Sequence, residues 1–175
     1  MKDVAITLSG AEVYAAKAVA LQIQLAKEKT HVVNKRICSR DDLRINLDGQ
    51  MAEIAVSRYL GLDYNPKIHL HGDGGVDFNY RDNTLQVKST QTNYLLFPKR
   101  EAMTCDLAIL CTPSRDKHNL VFIRGWIDQE DWFQDSRDVE RIPGVISCGV
   151  EAQKLYHIDE LDIYITCKKQ KTKKD

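Results

Sequence analysis

Gly72-Asp73-Gly74-Gly75-Val76-Asp77-Phe78-Asn79-Tyr80-Arg81-Asp82-Asn83-Thr84-Leu85-Gln86-Val87-Lys88-Ser89-Thr90 is the segment from which the architecture is read. Side chains alternate faces along a strand, so Val76, Phe78 and Tyr80 share one face and Asp77 and Asn79 the other. On the next strand Leu85 and Val87 oppose Gln86 and Lys88. The pattern predicts two strands, about Val76–Tyr80 and Thr84–Ser89, joined by a turn centred on Asp82-Asn83. That turn pairs Arg81 with Thr84, Asn79 with Gln86 and Asp77 with Lys88. Phe78 then faces Val87 and Tyr80 faces Leu85, which keeps the apolar groups on one face. A one-residue slip mixes the faces, and a half-buried sheet resists that. In this register the Cβ atoms of Asp77 and Lys88 stand about 4.5–5.5 Å apart. A carboxylate, a carbonyl oxygen and an ammonium on one sheet face are the parts that hold a hard cation beside a phosphate. Gly72, Gly74 and Gly75 let the backbone bend sharply or let a polymer backbone come close.

Upstream, Ser9 and Glu12 form a capping box for a long helix reaching about Lys29. Its core face carries Val13, Ala16, Ala20, Ile23 and Ala26 at helical spacing. Thr30 to Leu47 reads as irregular and charged, with Arg36, Arg40 and Arg44 in local ion pairs with Asp41 and Asp42. Asp48 reads as the N-cap of a second helix and Gly61 as its stop. That helix has a core stripe of Ala52, Ala55, Val56 and Tyr59. Glu53 lies at the border of the stripe, where a carboxylate can reach across a helix–sheet contact. Between this helix and the hairpin, Lys67–His71 reads as a brief strand.

Downstream, Tyr94–Met103 reads as a short helix or a loop broken by Pro98. Leu107–Cys111 is a continuous apolar run, the mark of a buried strand. Leu120–Ile127 follows as another strand, and Asp128 caps a short helix holding Trp132 and Phe133. Val145–Cys148 and Ile163–Cys167 read as the last strands. Helices first, then strands with helices between them, indicate one α/β domain with a central mixed sheet flanked by helices. It spans residues 1–167, followed by a basic, disordered tail over 168–175.

Composition is ordinary for a folded chain of 175 residues, at 43% hydrophobic and 29% charged. No stretch approaches the roughly 20 apolar residues needed to cross a bilayer. The N-terminal residues lack a secretory pattern, so a cytoplasmic location is expected. The five cysteines, Cys38, Cys105, Cys111, Cys148 and Cys167, include no CxxC pair. That disfavours a zinc site or a disulfide framework. Cys105, Cys111 and Cys167 lie in apolar runs and read as core residues. Net charge is zero, yet the last eight residues carry five lysines and one acid. Such a tail attracts phosphates or merely solvates the terminus.

Glu53, Asp77 and the Gln86-Val87-Lys88 triplet together resemble the restriction-endonuclease-like superfamily and its PD-(D/E)xK motif. The resemblance covers about residues 48–127. It implies a restriction-endonuclease-like core and a Mg²⁺-dependent endonuclease that hydrolyses DNA phosphodiester bonds, with Mn²⁺ as a substitute. It implies Asp77 as the central metal-binding acid, Gln86 in the second acid's place, and Val87 as a carbonyl ligand. Lys88 would be the catalytic lysine and Glu53 the helix acid. Two departures stand out. No proline precedes Asp77, and Gln86 removes one negative charge from the metal site. The lost charge motivates a second reading, a catalytically inactive nucleic-acid-binding or assembly module. A nuclease directed at RNA or single strands is a third. Such folds commonly dimerise, and the long first helix is the surface for it here.

Other residues carry two readings each. Ser89 and Thr90 donate to a phosphate or end the strand. Lys99 and Arg100 hold a nucleic-acid backbone or face solvent. His69 and His71 assist the site or form ordinary hydrogen bonds. Trp126, Trp132 and Phe133 read as core. No P-loop, dinucleotide fingerprint or nucleophile elbow occurs, so no nucleotide cofactor is expected.

Overall fold

Alternation in the hairpin carries through to the tertiary level, because the strand after the turn sits inside a mixed sheet and is covered on both faces. A computed structural model describes residues 3–30, 41–66 and 75–171. Among these residues the chain runs β1 (Val4–Thr7), α1 (Gly10–Thr30), α2 (Asp42–Leu60), β2 (Phe78–Tyr80), β3 (Asn83–Ser89) and β4 (Tyr94–Phe97). It continues β5 (Leu107–Pro113), β6 (Leu120–Asp128), α3 (Gln129–Asp135), β7 (Arg137–Ile142), β8 (Val145–Glu151) and α4 (Leu161–Lys171). The main sheet has the order β1-β6-β5-β3-β2, with β3 and β5 parallel and the other neighbours antiparallel. A smaller antiparallel sheet has the order β4-β8-β7.

Two cores follow from the alternation. Leu85, Ile109, Cys111, Val121 and Ile123 face one way, against Val13 and Ala16 of α1, Met51, Ala52, Ala55 and Val56 of α2, and Leu161 and Ile165 of α4. Ala108 and Leu110 face the other way, against Leu95 and Phe97 of β4, Cys148 and Val150 of β8, and Trp132 of α3. The chain is therefore a single α/β domain with a mixed sheet between helices on one side and a second sheet plus α3 on the other. No helix among the described residues is long and apolar enough to cross a membrane.

Local chemistry sets the helix ends. The Ser9 N–H and hydroxyl both donate to Glu12 Oε2 at 2.7 Å, and the Glu12 N–H returns to Ser9 Oγ. Gly61 adopts φ 66, its N–H reaching Arg58 O, while the Leu62 N–H bonds Ser57 O. This left-handed exit needs glycine. Asp128 caps α3 by accepting from the Asp131 N–H. Buried Asp128 also accepts from the Tyr164 hydroxyl and lies 3.3 Å from Lys168 Nζ, tying α4 to the sheet.

Several expectations are corrected. The hairpin turn is Arg81-Asp82, both at positive φ, so Phe78 pairs with Leu85, Asn79 with Thr84 and Tyr80 with Asn83. The register is displaced by two residues from the predicted one. An even displacement keeps every side chain on its predicted face. Two non-glycine residues at positive φ are strained by about 1–2 kcal/mol each. Their side chains are held by α4, Arg81 on Asp162 at 3.0 Å and Asp82 on Lys169 at 2.7 Å.

Helix α2 starts earlier than expected, capped by Asp41. Asp48 is buried within it and paired with Arg44 one turn before. Tyr94–Phe97 is a strand, followed by a 3-10 turn at Arg100–Ala102. Ile163–Cys167 lies in helix α4, despite its β-branched residues. Leu161 and Ile165, four apart, bury against the core, and tertiary burial overrides propensity. Residues 168–171 of the expected tail belong to this helix. Cys167 and Phe133 are exposed, while Trp126 and Trp132 are core.

Gly125 (φ 144) stands where β6 slips its register against β5. A Cβ there would lie 2.6 Å from Tyr156 O and 2.8 Å from Leu155 Cβ. Gly125→Ala is expected to lower unfolding free energy by about 3 kcal/mol. Gly144→Ala, also at positive φ but in open space, is expected to cost about 1 kcal/mol. Urea denaturation of both variants measures the difference.

Candidate metal centre at the edge of β3

Strand β2 is only three residues long, so the edge of β3 beyond Leu85 is closed by something other than a strand. Asp77 closes it. Its N–H donates to Leu85 O at 2.9 Å, and its Oδ2 accepts the Val87 N–H at 2.6 Å. A side-chain oxygen thus replaces one rung of the ladder. Within a strand the N–H and C=O of one residue leave on the same edge, so the Val87 carbonyl also faces this side.

Gln86 and Lys88 project from the face that meets the second sheet. Gln86 is 5% exposed, and its Oε1 is buried with no hydrogen-bond partner among the described residues. An orphaned buried carbonyl oxygen costs about 1–3 kcal/mol unless water or an ion meets it. Gly75 (φ 83) passes close by; a Cβ there would lie 2.8 Å from Thr104 Oγ1 and 3.6–3.7 Å from the Gln86 amide. Lys88 Nζ lies 4.9 Å from the centroid of the Phe97 ring, a cation–π contact that draws the ammonium over this face.

Cys105 is the common neighbour of the group. Burial pushes its thiol up to about 11, the Lys88 charge and a backbone contact from Gln86 pull it down, and the Asp77 charge pushes it up. The structure brings these three residues and Val87 to one stretch of the β3 edge, although Asp77 stands level with Gln86 and Val87 rather than opposite Lys88.

Glu53 stands in the other layer, on α2. Helix α2 covers the face bearing Leu85 and Val87. Glu53 Oε1 accepts from Gln50 Nε2 at 2.9 Å, and Gln50 Oε1 accepts from the Tyr64 hydroxyl at 2.5 Å. Burial, then the Glu53 charge, push the Tyr64 phenol well up, so it remains a proton donor. The predicted nucleic-acid contacts are spread out. Ser89 Oγ is buried without a partner among the described residues, and buried Thr90 shares its hydroxyl with Thr92 at 2.9 Å. Arg100 donates to Ser136 O at 2.5 Å, and Lys99 is exposed. His69 and His71 lie outside the described residues, as do Arg36, Arg40 and Cys38.

Sequence reasoning passed over Cys105, Thr104, Gln50 and Tyr64 as parts of this region. Their placement depends on contacts between distant segments, and no motif spacing marks them. Among the described residues no group of three or more His, Cys, Asp or Glu side chains is placed to hold a metal. The oxygens at the β3 edge are of mixed kind: one carboxylate, one amide and one main-chain carbonyl. Compared with protein-family models, curated proteins and solved structures, the chain finds no match in any of the three.

The Cys105 environment has a pH consequence. The ordinary thiol value is 9.0, and the folded chain holds it near about 11. The unfolded chain releases its proton first, so this contribution is complete below pH 9 and is lost as pH climbs from about 9 to about 11. The urea midpoint is expected to fall over that window, and less steeply in Cys105→Ala.

Proposed function

We propose that the chain is a Mg²⁺-dependent nuclease hydrolysing DNA phosphodiester bonds, built on a restriction-endonuclease-like core. The observation that carries this reading is the buried Gln86 Oε1, without a hydrogen-bond partner among the described residues, on the residue before the Val87 N–H that holds the Asp77 carboxylate. An all-oxygen donor set suits a hard divalent cation that keeps several waters. Asp77, Gln86 and the Val87 carbonyl would hold the ion, with Glu53 joining from α2. When bound, Mg²⁺ supplies polarisation of a phosphoryl oxygen and a more acidic water.

The remaining work falls to the chain itself. Asp77 enters the site fixed, because the Val87 N–H holds its Oδ2. Lys88 offers an ammonium on a short tether beside Phe97, where it offsets charge developing on the phosphoryl oxygens. Gly75 lets the backbone lie close over the Gln86 amide. The described cysteines are free thiols, which suits a reducing cytoplasm.

Gln86 also favours the second reading. A neutral ligand in an acid's place weakens a cation site, and a non-cleaving nucleic-acid-binding module would tolerate that. Cleavage of duplex DNA, single-stranded DNA and RNA in Mg²⁺ or Mn²⁺ separates the readings. Lys88→Ala and Asp77→Asn are each expected to lower the cleavage rate at least about 100-fold. Cleavage that ignores both changes, or needs no metal, defeats the nuclease reading; nucleic-acid binding without cleavage favours the module.

A second variant tests the ligand role directly. Gln86→Leu is expected to abolish Mn²⁺ binding in calorimetry while raising metal-free stability by about 1 kcal/mol, because it removes an orphaned carbonyl. Unchanged Mn²⁺ affinity would strike Gln86 from the donor set.

A further inference from the structure

Gln50 is an expensive residue to bury where it stands. It is 8% exposed, on a helix whose neighbouring buried positions are Met51, Ala52 and Ile54. A buried amide is tolerated only when both its ends are bonded. Here both are, and in one sense only. The amide nitrogen donates to the Glu53 carboxylate at 2.9 Å, and the amide oxygen accepts from the Tyr64 hydroxyl at 2.5 Å. A phenol donates to an oxygen and a carboxylate accepts from a nitrogen, so the two partners fix which way the amide points.

The backbone is shaped to bring these groups together. Gln50 and Glu53, three apart, stand on the same side of α2. Tyr64 follows the helix, yet it meets a residue in its first half. After the left-handed Gly61 exit the chain returns far enough for Tyr64 to bond Gln50. Gln50 lies about 15 Å along the axis from Leu60, and four extended residues span about 13 Å, so the return reaches the right level. The left-handed glycine, the buried amide and the tyrosine therefore serve one contact, and that contact ends on Glu53.

We propose that Tyr64 and Gln50 form a two-bond strut that fixes the Glu53 carboxylate toward the β3 edge, making both positioning residues for the cation site. The proposal rests on the nuclease reading, in which Glu53 supplies the second negative charge that Gln86 lacks. A glutamate has three side-chain torsions to immobilise when it takes a ligand, and a strut formed at folding removes that cost from the binding step. The edge geometry gives the strut its use. Asp77 and the Val87 carbonyl lie in the plane of the sheet, Gln86 comes from one face, and α2 with Glu53 covers the other. At a sheet edge, side chains from the two faces can approach the same main-chain groups.

The test is a double-mutant cycle on the full chain, with Mn²⁺ alone as the probe and calorimetry as the readout. Tyr64→Phe and Gln50→Met are each expected to weaken Mn²⁺ binding about 5- to 10-fold, and Glu53→Gln by more. In a Glu53→Gln background the first two changes are expected to add nothing, because they act through Glu53. A purely structural role would weaken binding equally in both backgrounds, and that result overturns the strut. So does full Mn²⁺ affinity in both Tyr64→Phe and Gln50→Met. If Gln50→Met fails to fold, Tyr64→Phe, which removes one oxygen, carries the cycle alone. Asp77→Asn distinguishes the two levels. Loss of binding there, with none in Glu53→Gln, overturns the strut and leaves the nuclease reading standing. Unchanged binding in Asp77→Asn defeats the nuclease reading itself.

Discussion

One hydrogen bond, from the Val87 N–H to Asp77 Oδ2, organises the functional end of the molecule. Because β2 begins only at Phe78, no strand covers Val87 on the β2 edge of β3. A carboxylate satisfies the N–H and in doing so is pinned in the plane of the sheet. Gln86 and Lys88 flank Val87 on the same strand, and the Cys105 thiol is buried nearby. A longer β2 would pair the edge conventionally and leave an acid there without this anchor.

Much of the frame was legible because its signals are local. The Ser9/Glu12 box, the Gly61 stop and the Asp128 cap are each written within a few residues, and each forms as read. Face alternation in the hairpin was equally legible, since parity survives an even shift in register. The register itself was not. Asp82-Asn83 has the better left-handed propensity, yet the turn falls on Arg81-Asp82, where α4 supplies ion pairs from more than eighty residues away. These pairs are partly solvent-exposed and individually weak.

The site divides along the same line. Asp77, Gln86 and Lys88 could be grouped from their spacing on two adjacent strands. The partners that hold them could not. Tyr64 reaches Gln50 only because the chain reverses after a helix, and Phe97 meets Lys88 only because the 94–97 segment joins a second sheet. Helix α4 makes the same point about propensity. Ile163, Tyr164, Ile165 and Thr166 favour a strand in isolation, but Tyr164 finds Asp128 and Ile165 finds the core only as a helix.

Pairing between distant segments also governs how the molecule can assemble. Val4 lies beside Ile123, and β4 waits for β8. Each sheet is thus closed by a partner made late in synthesis, while the earlier strand stands with an open edge. Chains of such high contact order collapse slowly and expose unpaired edges on the way. The edge of β1 that β6 covers therefore stays open until β6 has been made.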